Sequence, residues 1–76
     1  MKWEIINNKL SKEFEFNSFV EAVDFINKIM PLAEKAKYHP DIYLHSYSKV
    51  KIILLSHDVG EVTDKDYNLA KEIDSI

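Results

Sequence analysis

Between Lys9 and Phe19 the hydrophobic pattern changes its period, and this change limits the fold more than any other feature of the chain. Leu10, Lys12, Phe14 and Phe16 alternate with Lys9, Ser11, Glu13 and Glu15. Period two describes a strand with one wet face, and Lys12 is the single polar residue on the otherwise apolar set. Ser18-Phe19-Val20-Glu21 follows as a capping-box pattern, with Ser18 as N-cap and Glu21 reaching back. Phe19, Val23, Ile26, Met30 and Ala33 then recur at spacings of four, three, four and three, and Ala22, Phe25, Ile29 and Leu32 widen the stripe. The spacing predicts a helix from about Phe19 to Lys37, bent or broken for one turn by Pro31. So broad an apolar face exceeds what a two-stranded hairpin covers. A second sheet or another subunit is expected to cover the rest.

The remaining elements fall in around that junction. Lys2–Ile6 and Lys9–Phe16 flank Asn7-Asn8, residues that tolerate the positive φ of a two-residue hairpin turn. Tyr38-His39-Pro40-Asp41 ends the helix. Ile42–Tyr47 and Val50–Ser56 read as two further strands joined through Ser46–Lys49. In the last strand Val50, Ile52 and Leu54 share one face, and His57 stands at its C-terminal end. Asp58–Val62 is a loop holding the only glycine, Gly60. Thr63-Asp64-Lys65-Asp66 resembles a second N-cap, with acids where the helix dipole favours them. Tyr67, Ala70, Ile73 and Leu69 then give a short final helix. The order is ββαββα. It implies an α+β fold, a four-stranded antiparallel sheet with two helices packed on one face, in a single domain spanning 1–76.

Composition removes several function classes. Seventy-six residues make one small domain whose core is marginal alone, so self-association is expected. The absence of cysteine excludes disulfides and thiolate zinc sites. Ten lysines, no arginine and 13 acidic residues give a net charge of −3, which argues against direct contact with nucleic acid. The longest apolar run, Ile52–Leu55, is far short of a membrane span. Glu4 stands where a signal peptide needs apolar sequence. A soluble cytoplasmic protein is the expectation.

Candidate chemistry rests on three histidines. His39 lies at a helix-to-strand junction and His57 at a strand-to-loop junction, places where a side chain is both fixed and reachable. Two imidazoles converging from different elements would serve as an acid/base pair near neutral pH. The plainer alternative is that all three are surface histidines held by local hydrogen bonds. His39 and His45 are six apart across a strand, yet no helical histidine pair or Cys/His cluster supports a metal site, and none is assigned. Glu34 stands one helical turn before Tyr38, within i,i+4 reach of it. On spacing alone it is better explained as a solvated helix residue, and Asp66 is equally well explained by helix-start electrostatics. No nucleophile motif, P-loop or dinucleotide fingerprint is present.

Taken in order, the motifs are more telling than any one residue. Phe14-x-Phe16-x-x-Phe19 precedes the helix, and Ala33-Glu34-Lys35 leads to His39-Pro40. Tyr47-x-x-Val50, Ser56-His57-Asp58-x-Gly60 and Thr63-x-x-Asp66-x-x-Leu69-Ala70-x-x-Ile73-Asp74 follow. From about Leu10 onward the chain resembles the pterin-4a-carbinolamine dehydratase family, also called the dimerisation cofactor of a homeodomain transcription factor. The resemblance implies a self-associating α+β fold, as dimer or tetramer. The implied activity is dehydration of a 4a-hydroxytetrahydropterin, such as 4a-hydroxytetrahydrobiopterin, to the quinonoid dihydropterin in pterin cofactor recycling, with no metal or cofactor. It carries His39 onto the second histidine of a His-His-Pro motif, Pro40 onto its proline, and His57 onto the third active-site histidine. Glu34 and Asp66 match acidic positions of the signature. Catalysis is thereby assigned to His39 and His57, and substrate binding to Glu34, Tyr38, Pro40, Asp58 and Asp66.

The chain departs from the pattern in three places. Tyr38 occupies the first histidine of the pair, the segment from His39 to Tyr47 is one residue longer, and no family helix precedes the strand that begins near Trp3. Tyrosine, with a reference pKa near 10, donates a hydrogen bond but is a poor base at neutral pH. The resemblance therefore implies that His39 and His57 move the protons while Tyr38 holds or polarises the pterin. The alternative is a pterin-binding or protein-interaction module with the fold intact and turnover lost.

Overall fold

The computed structural model describes residues 2–56 and 60–76. Strands β1 (Glu4–Ile6) and β2 (Lys9–Glu15) form the first hairpin. Asn7 and Asn8 both take positive φ, 52° and 65°, which lets the two-residue turn follow the twist of its strands. Helix α1 (Phe19–Ala36) comes next, then β3 (Asp41–His45), β4 (Lys49–Leu54) and helix α2 (Asp64–Asp74). The sheet is antiparallel throughout, in the order β1-β2-β4-β3. β4 thus lies between β2 and β3. The connection through α1 carries the chain past it to the sheet edge, and the 46–48 turn brings it back.

Register places one face of the sheet under the helices. Leu10 pairs with Leu54, Lys12 with Ile52 and Phe14 with Val50, while Ile42 and Leu44 continue that face on β3. Val50, Ile52 and Leu54 have no exposed surface. α1 adds Ala22, Phe25, Ile29 and Ala33, and α2 adds Leu69, Ala70 and Ile73. The Phe25 ring stacks between Phe14 and Phe16 at centroid distances of 4.7 and 4.9 Å, pinning the helix to β2 just after the strand-to-helix switch.

Three expectations shift. First, the buried stripe of α1 runs through Ala22, Phe25, Ile29 and Ala33, whereas Phe19 and Met30 are exposed. The helix rolls its smaller residues toward the sheet so that Phe25 can fill the gap between two phenylalanines. Second, Pro31 does not divide α1, which is continuous from Phe19 to Ala36 with the proline on its exposed side. There its missing N–H leaves the carbonyl one turn back to water rather than to the core. Third, Tyr67 is exposed and Asp66 takes the inward position on α2. Lys12 does lie on the inner face, where Asp74 accepts a hydrogen bond from its amine at 2.8 Å and from Trp3 Nε1 at 3.0 Å. That carboxylate fastens the end of α2 to the first hairpin.

Candidate functional site

The end of α1 sets the first half of the site. Lys37 closes the helix in the left-handed region, φ 53°, and its N–H caps the carbonyls of Ala33 and Glu34. The reversal carries the chain away from the helix axis, so the residue that returns to Glu34 is His39 rather than Tyr38. His39 Nε2–H donates to Glu34 Oε2 at 2.5 Å. Both side chains are exposed. The carboxylate sets the ring's orientation and places a hydrogen on Nε2, which leaves Nδ1 to meet a ligand. Pro40 then holds its neighbour in extended backbone and leads into β3.

The C-terminal end of β4 supplies the second half. Asp41 at the start of β3 pairs with Ile53 near the end of β4, so the 38–40 turn and the exit of β4 share one end of the sheet. Ser56 follows, buried, and bridges to Glu61 through an N–H bond of 3.3 Å. Gly60 donates to the Ser56 carbonyl at 2.8 Å with φ +72°, a conformation that favours glycine. His57 and Asp58, expected as catalytic and substrate-binding residues, lie outside the described residues.

Asp66 sits beneath both halves and has no exposed surface. Its Oδ2 accepts from Ser56 Oγ–H at 2.9 Å and from the Thr63 N–H at 2.7 Å. Thr63 Oγ1 stands 2.7 Å from Ser56 Oγ. The N-terminal end of α2 favours the negative charge. Tyr38 packs its ring on the core and buries its hydroxyl. Desolvation, then the Asp66 carboxylate, hold its phenol well above the usual tyrosine range. A groove of about 160 Å³ beside Tyr38 is lined by Ala36, Lys65, Asn68, Leu69 and Glu72.

Glu34, Tyr38, His39 and Asp66, assigned from distant parts of the sequence, therefore gather at one end of the sheet. His45 stays apart, its Nε2 on Glu13 at 2.5 Å and its Nδ1 3.2 Å from Ser46 Oγ. Among the described residues no group of three His, Asp or Glu side chains is arranged to hold a metal ion. Likewise none of their helices is long and apolar enough to cross a membrane. Ser56 and Thr63 are the residues that sequence reasoning left without a role at the site. The apolar spacing of Asp66 with Leu69, Ala70 and Ile73 was the available signal, since it marks the acid as inward-facing and in need of donors.

Comparison with known proteins bears on the family and the fold. Residues 1–76 match the family model described as pterin 4 alpha carbinolamine dehydratase. A provisionally named pterin-4-alpha-carbinolamine dehydratase of Picosynechococcus sp. is 44% identical over 75 residues, covering 99% of this chain and 80% of the relative. A protein of the same provisional name from Sulfolobus acidocaldarius is 45% identical over 74 residues, covering 97% and 80%. The crystal structure of a transcriptional coactivator/pterin dehydratase from Brucella melitensis superposes with a TM-score of 0.89 at 25% identity, covering 96% of this chain and 79% of that one. A pterin dehydratase-like protein described as a RuBisCO assembly factor in the alpha-carboxysome shares the fold, with a TM-score of 0.81 at 23% identity, covering 99% and 88%.

Proposed function

The chain belongs to the pterin 4 alpha carbinolamine dehydratase family, and from that premise we propose that it removes water from a 4a-hydroxytetrahydropterin to give the quinonoid dihydropterin. The observation that carries the reading is the His39–Glu34 pair, set at the end of the sheet where β4 leaves for the residue-57 segment. Dehydration of a carbinolamine breaks the C4a–O bond and forms a C=N bond to the neighbouring ring nitrogen. One proton goes to the departing hydroxyl and one leaves that nitrogen, so protons balance over the cycle. We assign these transfers to His39 and His57, one giving and one taking. General acid/base groups supply about 10²–10⁴-fold in such steps. Glu34 holds the His39 ring, Pro40 and Asp58 border the substrate, and Tyr38 and Asp66 back the site.

The physiological setting proposed is recycling of a tetrahydrobiopterin-type cofactor in the cytoplasm by a homo-oligomer. Exposed Phe19, Val20 and Met30 on α1 supply apolar surface for a second subunit. The test is turnover of a 4a-carbinolamine measured above its spontaneous dehydration. A second reading is favoured by Tyr38, which stands where the family motif carries histidine. In it the chain binds a reduced pterin or a protein partner without turning over. A wild-type rate equal to background, together with saturable binding of a reduced pterin, would establish that reading and overturn the first.

A further inference from the structure

Two buried polar side-chain atoms, Asp66 Oδ1 and Tyr38 Oη, have no hydrogen-bond partner among the described residues. They are complementary. A carboxylate offers only acceptors, and a phenol offers one O–H donor. They are also neighbours: Tyr38 lines one groove with Lys65 and Leu69, which flank Asp66 on α2, and the Asp66 carboxylate is among the groups that oppose ionisation of the Tyr38 phenol. The other Asp66 oxygen is occupied by Ser56 Oγ–H and the Thr63 N–H. Asp66 therefore has one oxygen committed to the exit of β4 and the entry of α2, and one buried without a donor among the described residues.

We propose that Tyr38 is a positioning residue whose phenol O–H donates to Asp66 Oδ1, so that one buried carboxylate ties the His39 turn to Ser56 and Thr63. The catalytic half of this proposal rests on the dehydratase reading, and the structural half stands without it. The link is suited to its place because a phenol remains a neutral donor across the range where imidazoles titrate. Among the described residues, the groups facing Tyr38 are Asp66 from α2, Asp41 from the start of β3, the backbone of Leu55 after β4, and Lys65 and Glu72 along the groove. Both aspartates oppose loss of the phenol proton. An imidazole in the same position would gain and lose its proton against Asp66 near neutral pH and would load the anchor with a titration of its own. Tyr38 keeps the anchor constant while His39 and His57 exchange protons with substrate.

The experiment is a double-mutant cycle on the full chain with Y38F, D66N and the double variant, read by urea unfolding. Y38F keeps the ring and removes only the hydroxyl. In the wild-type background it should reduce the unfolding equilibrium's preference for the native state about tenfold, and in the D66N background by less than about threefold. Equal effects in both backgrounds would overturn the link. If D66N does not fold, the alkaline phenolate absorbance of wild type minus Y38F decides instead. A difference step coincident with unfolding supports the link, and one that occurs in the folded chain refutes it. Neither readout needs turnover, so a silent wild type would count against the dehydratase reading alone. In an active wild type, Y38F should lower kcat with KM unchanged. Y38H should match or exceed the wild-type kcat while adding an ionisation to the pH–rate profile. A Y38H profile superimposable on wild type would remove the positioning role.

Discussion

If the proposed dehydration holds, replacing His39 by alanine should separate catalysis from stability, because the two effects differ widely in magnitude. The His39 side chain is 71% exposed and its partner Glu34 66% exposed, so their pair is a surface ion pair. Such pairs contribute about 0–1 kcal/mol, and the core lies elsewhere. For a domain of this size that corresponds to a fall in Tm of no more than about 4–8 °C. The catalytic loss is larger. Removing one of two proton-transfer groups should cost about 10²-fold in turnover, equivalent to about 2.7 kcal/mol of activation free energy. A protein that keeps several kcal/mol of stability remains almost wholly folded after losing 1 kcal/mol, so unfolding does not account for such a loss. The assay follows quinonoid dihydropterin formation from a freshly generated 4a-carbinolamine, with thermal unfolding of the same sample by circular dichroism. Glu34→Gln keeps an acceptor but loses the charge, and should fall between wild type and His39→Ala, about three- to tenfold below wild type. The reasoning is refuted if His39→Ala turns over within twofold of wild type, or if its loss follows the fraction unfolded.

His45→Ala provides the control: its ring bonds Glu13 and Ser46, away from the site, so turnover in the same assay should be unchanged. Asp74→Ala leaves the Lys12 ammonium, whose side chain is 13% exposed, without its counter-ion. Urea unfolding should show a cost of about 1–3 kcal/mol, whereas Lys12→Met removes both charge and need and should stay within about 1 kcal/mol of wild type. Above about pH 10 the wild type should lose stability more steeply than Tyr38→Phe. The folded chain keeps the Tyr38 proton to higher pH than the unfolded chain does. The native state then holds more protons, and its advantage is full below the ordinary tyrosine range and declines above it. Parallel stability-versus-pH curves for the two proteins would contradict this.

Element type and order were legible because they depend on local periodicity. The alternation in Lys9–Phe16, the Ser18/Glu21 cap and the stripe of α1 each act within a few residues of themselves. Strand ends differ by only one or two residues from those expected, as pairing with a neighbour decides where a ladder stops. Which side of α1 faces the sheet was less legible. Phe19 and Ala22 are both compatible with the apolar face, and the Phe14–Phe25–Phe16 stack, a contact between elements, selects the latter. For the candidate site, the ordered motif singled out Glu34, His39 and Asp66, which the fold places toward one end of the sheet. Spacing alone put Glu34 within reach of Tyr38, whereas past the left-handed Lys37 cap it is His39 that bonds Glu34.

Read alone, the chain determines a two-helix, four-strand α+β domain and the residues available for proton transfer, since hydrophobic period and residue type are properties of the polymer itself. Only the tertiary structure decides that Asp66 is a buried hub rather than an ordinary helix-start acid. It also decides that Tyr38 buries its hydroxyl rather than presenting it to solvent. Those outcomes depend on which donors and acceptors lose water together when β4, α2 and the 38–40 turn close on one another, and that desolvation exists only once the chain has folded.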